Sequence, residues 1–136
     1  MPTGPSQKTP FTQRSVGNAE TLEIVFLEGI FRRLPGRRDI LEALGHLYTA
    51  QGRLEDGLRI DQELVRLTPE APIAWYNFAC SLALTKQPDA AVQALTQAID
   101  LGYDDPDWMQ EDTDLLSLHS DVRFQVLLKR IQQKRL

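Results

Sequence analysis

Cysteine is nearly missing from this 136-residue chain. Cys80 stands alone, which excludes an intramolecular disulfide and any multi-cysteine zinc site. Long apolar runs are missing too, since none approaches the roughly 18 residues that cross a bilayer. The opening stretch before Asn18 holds three prolines and two basic residues but no hydrophobic core. No secretory signal is visible, so the cytoplasm is the expected compartment, without membrane association. An excess of positive charge is lacking as well. The net charge is −4 and the pI is near 5.1, which argues against an electrostatic grip on nucleic acid. The eight glycines are scattered singly and make no phosphate-cradling loop. There is no nucleophile elbow and no HExxH, and His46 and His119 are the only histidines. The chain is therefore read as non-enzymatic, with no cofactor and no metal.

What remains is the composition of an ordinary globular chain, 42% hydrophobic and 25% charged. Residues 1–17 are polar and rich in Pro, Ser, Thr and Gly, and are expected to form an unstructured tail. Phe11 is the one residue there suited to docking. A single domain is expected over residues 18–136, with Asn18 as the N-cap of a first helix from Ala19 to Arg33. Leu22, Phe26, Ile30 and Leu27, Phe31, Leu34 recur in it at helical spacing, and Pro35-Gly36 stops it. Further helices are expected over Arg38–Ala50, Leu54–Leu67, Pro72 to about Thr85, and Pro88 to the Gly102 stop. No segment alternates with period two for long enough to make a strand. The fold class is all-α.

A fixed period links these helices. The helix-ending prolines Pro35 and Pro69 lie 34 residues apart, and one more period lands on Tyr103, just past Gly102. The same shift carries Leu41 to Trp75, Leu44 to Phe78, Gly45 to Ala79, Tyr48 to Leu82, Gly57 to Ala91 and Leu64 to Ala98. Large residues map to large and small to small, as expected where helices cross at close range.

On these residues the chain resembles the tetratricopeptide repeat family. Trp75, Phe78, Ala79, Leu82, Ala91, Leu95 and Ala98 fit its pattern in one repeat. Leu41, Leu44, Gly45, Tyr48, Gly57 and Pro69 fit it in the other, where Asp61 and Leu64 depart from the usual residues. The resemblance implies a right-handed α-solenoid of antiparallel helix pairs. Its repeats would cover about 38–71 and 72–105, with a half repeat at 19–37 and a cap at 106–136. Asp114, Leu115, Leu118, Asp121, Arg123, Phe124, Leu127 and Leu128 resemble the closing stretch of many bacterial members. That cap reads as a short helix from Asp107 to Ser117 and a final one, N-capped by Ser120, to about Lys134.

Three other clusters invite chemistry. His46 and Cys80 are one period apart, but first helices about 8–10 Å apart hold them too far from each other to share an ion. The acids from Asp104 to Asp114 fail as a calcium loop, because Met109 takes a ligand place and Gln110 replaces the central glycine. They read as solvated charges. Arg32, Arg33, Arg37 and Arg38 flank the Pro35 turn, where they suit a helix end; Trp108 is expected to pack under the cap.

The resemblance also implies a concave groove lined by the first helices of successive repeats. The groove residues would be Asp39, Glu42, His46 and Thr49, then Ile73, Tyr76, Asn77, Cys80 and Leu84. The family's carboxylate clamp uses Lys, Arg and Asn. Asn77 matches one asparagine, but Glu42 stands for the lysine and His46 for the other asparagine. A carboxylate would be repelled by Glu42 and Asp39, so a neutral or basic segment with an apolar residue over Tyr76 and Leu84 is the expected partner. The expected function is protein or peptide binding through this groove. The alternative is self-association, as a homodimer, through exposed helix ends or through the Arg-rich turn meeting the 104–114 acids of another copy.

Overall fold

The computed structural model describes residues 4–134, with side chains for 19–134. Its elements are α1 (Gly4–Arg33), α2 (Arg38–Ala50), α3 (Leu54–Leu67), α4 (Pro72–Leu84), α5 (Pro88–Asp100), α6 (Pro106–Glu111), a 3-10 segment (Thr113–Leu118) and α7 (Val122–Lys134). Among the described residues there is no strand, and no helix is long and apolar enough to cross a membrane. α1 begins at Gly4, so Asn18 lies inside a helix rather than capping one. The side chains of the expected tail, Phe11 included, lie outside the described residues.

The chain divides into two compact units, Met1–Arg53 and Leu54–Leu136. In the first, α1 packs on α2. Ile24, Leu41, Leu44 and Tyr48 are buried. The Tyr48 hydroxyl donates to the Glu28 carboxylate, and the Arg53 guanidinium lies 4.7 Å from the Tyr48 ring centroid. That choice of contacts turns one face of α1 inward. Leu22 and Phe26, on the other face, stay exposed.

The second unit holds α3 to α7 around one core of Ala79, Ala91, Leu95, Ala98, Met109, Leu115, Leu118, Phe124 and Ile131. Three helices begin with proline, at Pro72, Pro88 and Pro106, where the missing N–H has no partner to lose. Asp61 accepts a hydrogen bond from the Ser81 hydroxyl and so joins α3 to α4. The expected short cap helix is divided: the backbone leaves helical geometry at Asp112, which caps the 3-10 segment by accepting from the Asp114 N–H. The N-cap of α7 is Asp121 rather than Ser120, because the Asp121 carboxylate accepts from the Arg123 N–H at 2.9 Å. Arg130 and Asp100 join α7 to α5 at 2.5 Å.

The 34-residue period is present in the backbone itself. α2 and α4 start one period apart, as do α3 and α5. α2 ends on a pair of bonds from the Arg53 N–H to the Tyr48 carbonyl and from the Gly52 N–H to the Thr49 carbonyl. α4 repeats them from Gln87 to Leu82 and from Lys86 to Ala83, and α5 from Tyr103 to Ala98 and from Gly102 to Ile99. This is the Schellman arrangement, which needs a left-handed residue just past the helix. Gly52 (φ 73°) and Gly102 (φ 116°) meet that need without strain, whereas Lys86 holds φ 62° with a side chain attached. Lys86→Gly is therefore expected to raise stability, and Gly52→Ala to lower it, each by about 1 kcal/mol. Urea unfolding of the two variants beside the wild type measures both.

Candidate functional site

α4 carries Ile73, Tyr76, Asn77 and Cys80 at the spacing that places them on one helical face. Past α5 the left-handed Gly102 turns the chain back over that face, and Tyr103 stacks on Tyr76 with ring centroids 4.4 Å apart and an interplanar angle of 11°. Asp105 caps α6 by accepting from the Trp108 N–H at 3.0 Å, which brings the Trp108 indole to the same place. The result is a cleft of about 360 Å³ between the start of α4 and the 102–108 segment. Pro72, Ile73, Tyr76, Tyr103 and Trp108 give it apolar walls, Asn77 supplies an amide, and Asp104 and Asp105 stand at its edge. No lysine or arginine lines it.

Beneath the cleft lies a closed polar network. The Tyr76 hydroxyl donates to Asp112 Oδ2 at 2.7 Å, the Cys80 thiol approaches the same oxygen at 3.6 Å, and Asp112 Oδ1 accepts from the Asp114 N–H at 3.0 Å. Tyr76, Cys80 and Asp112 are all buried. Burial pushes the Tyr76 phenol well above its ordinary range, and its hydrogen bond to Asp112 adds to the shift. Burial, followed by the charges of Asp112 and Asp114, raises the Cys80 thiol. Tyr103, raised first by burial, is pushed up to about 12. A thiol held so firmly in its neutral form is not a nucleophile. Oxygen and sulfur atoms of Cys80, Asp112 and Asp114 lie within 4.8 Å of one another. Both Asp112 oxygens already accept hydrogen bonds, and the thiol resists ionisation, so the trio works as a bolt between α4 and the α6 end rather than as a ligand set.

The expected groove residues separate into two groups. Asp39, Glu42, His46 and Thr49 form an exposed stripe on α2, in the first unit. Arg37 pairs with Asp39 at 2.5 Å and holds that carboxyl below the usual range. Ile73, Asn77, Tyr76, Cys80 and the half-buried Leu84 belong to α4, in the second unit. Of these, Ile73 and Asn77 are exposed, whereas Cys80 is an interior residue and Tyr76 shows a partner only its ring at the cleft floor. The expectation that Cys80 meets a partner is corrected, because its face of α4 is turned to Asp112. Trp108 is corrected in the opposite sense. It does not pack under the cap but stands 53% exposed, across the cleft from Ile73 at 58%. Tyr103 figures in the sequence only as the residue one period past Pro69, and Asp112 only as one acid among six. The run of acids hid which one turns inward.

No protein-family model matches the chain. Over 99 residues it is 30% identical to a chloroplastic protein from Arabidopsis thaliana. The match covers 71% of this chain and 29% of that protein, so the chain spans less than a third of the relative's length.

Tyr76→Phe removes the donor to a buried carboxylate and is expected to lower stability by about 1–3 kcal/mol. Ile73→Ala, at an exposed position, is expected to stay within about 0.5 kcal/mol. Chemical denaturation of the pair reads the contrast. Asp114 adds a pH dependence. Burial first, then the Asp112 charge, raises its carboxyl above 3.8. Below pH 3.8 both folded and unfolded chains hold the proton; above it the unfolded chain ionises first, so stability falls until the raised value is passed. Asp114→Asn should therefore gain stability relative to the wild type as pH rises through that window, measured by unfolding from about pH 3 to about pH 7.

Proposed function

We propose that the protein is a non-enzymatic interaction module that holds a segment of a partner protein in the cleft beside α4. One observation carries the reading: two large apolar side chains, Ile73 and Trp108, stand exposed on opposite walls of one concavity whose rim is acidic. Isolated exposed apolar residues are ordinary, but a facing pair with a polar rim is the anatomy of a binding site. The Asn77 amide offers both a donor and an acceptor to a peptide backbone. The occupant in this reading is a short segment with an apolar side chain between Ile73 and Trp108 and a lysine or arginine beside Asp104 and Asp105, where a cation also gains from the indole face.

The tetratricopeptide resemblance supports the reading. The period recurs in helix starts and in Schellman turns, and peptide capture along first helices is what the resemblance implies. The α2 stripe, with Asp39 and Glu42, has the same acidic sense as the cleft rim. The neutral Cys80 thiol and the lack of phosphate or nucleophile motifs favour binding over catalysis. In this reading the protein is a small bacterial-type member that works in the cytoplasm.

A peptide library scored against the full chain tests the proposal. Basic peptides with one large apolar residue should bind, and their acidic counterparts should not. Trp108→Ala should weaken binding at least about 30-fold, as the loss of an aromatic anchor does, and Asn77→Ala more modestly, while both variants keep the wild-type melting temperature. Equal binding of acidic and basic peptides, or full binding by Trp108→Ala, refutes it.

A further inference from the structure

The inner face of α1 is occupied. Ile24 is buried, and Glu28 receives the Tyr48 hydroxyl. The opposite face is apolar and open. Leu22, Val25 and Phe26 are 72%, 55% and 67% exposed, and at about 100° per residue they share one side of the helix. Gly29 continues that side one turn on. A Cβ built there would meet only the tip of the Arg32 side chain, at 3.9 Å, so another helix can approach the backbone closely. An apolar stripe this exposed marks a docking surface.

Charge along the same helix selects the occupant. Glu20 and Glu23 stand near the start of the stripe, and Arg32 and Arg33 at its end. Glu20 and Arg32 are equidistant from Phe26 in the chain, on either side of it. A second copy laid antiparallel, crossing at Phe26, sets each Glu20 beside the other copy's Arg32 and each Leu22 beside the other's Ile30. A parallel copy would set like charges together. The pattern is thus complementary to itself under a two-fold axis through Phe26, as an isologous interface requires. We propose that the outer face of α1 is a homodimer interface, with two copies pairing antiparallel about Phe26. The proposal is independent of the cleft beside α4 and of what binds there.

Sedimentation equilibrium of the full chain, from about 1 to about 200 μM, tests it. The wild type should pass reversibly from monomer to dimer. Phe26→Asp should weaken the dimer more than about 30-fold, since the residue enters the interface twice at its centre, while circular dichroism and melting temperature of the monomer stay as in the wild type. Glu20→Arg should weaken it about tenfold by setting arginine against arginine at both ends. Adding Arg32→Glu to that variant should restore wild-type affinity, and only antiparallel pairing predicts the rescue. A monomer throughout the range, a dimer indifferent to Phe26→Asp, or a double variant that stays weak overturns the proposal. A monomer that instead takes up a foreign amphipathic helix on this face overturns it as well. Peptide binding at the cleft should be unchanged in Phe26→Asp, so failure of one proposal is distinguishable from failure of the other.

Discussion

Both oxygens of one buried carboxylate, Asp112, are occupied by donors from other parts of the chain, and the cleft depends on that closure. An interior carboxylate is costly unless its lone pairs are met. Here the cost is offset by the Tyr76 hydroxyl, the Cys80 thiol and the Asp114 N–H, so the backbone break between α6 and the 3-10 segment can occur in one place only. With Asp112 fixed, α6 is fixed, and Trp108 is held across from Ile73. The same bond fixes the Tyr76 ring, on which Tyr103 stacks. A polar group in the interior thus sets the geometry of an apolar surface outside.

Repetition of backbone does not imply repetition of environment. α2 and α4 have the same length, start one period apart and end in the same pair of bonds. Yet Leu41 is fully buried, whereas its counterpart Trp75 is half-buried and donates its indole N–H to the Pro69 carbonyl. His46 is exposed, and its counterpart Cys80 is interior. The left-handed position is filled by Gly52 in one turn and by Lys86 in the other. Local rules of helix termination operate on each turn separately, while the surroundings of each side chain are set by what else folds onto it. For α4 that is the 102–118 segment, which closes over one face and leaves its upper end open.

Two surfaces of different chemistry result. The cleft beside α4 combines aromatic walls with an acidic rim and suits a short basic segment. The outer face of α1 is aliphatic and aromatic along its centre, acidic at one end and basic at the other, which suits a copy of itself. Neither surface involves a group poised for covalent chemistry, since the one thiol is buried and kept neutral by its surroundings and its acidic neighbours.

The sequence by itself determined the helices, their limits near Pro35, Gly52, Pro69 and Gly102, and the 34-residue spacing. Those features rest on φ restriction, missing N–H groups and apolar spacing, all of which act within a few residues. It also placed Ile73, Tyr76 and Asn77 together, because three and four residues of helix make one face. The tertiary structure alone decided which acid of the 104–114 run turns inward, that Trp108 faces out, and which side of α1 is left uncovered. Six acids close together in a chain are equivalent until a Tyr76 hydroxyl from 36 residues away selects one of them. An aromatic residue next to a helix start reads as core or as surface only once the packing partner is known, and that partner is a matter of contact in space rather than of order along the chain.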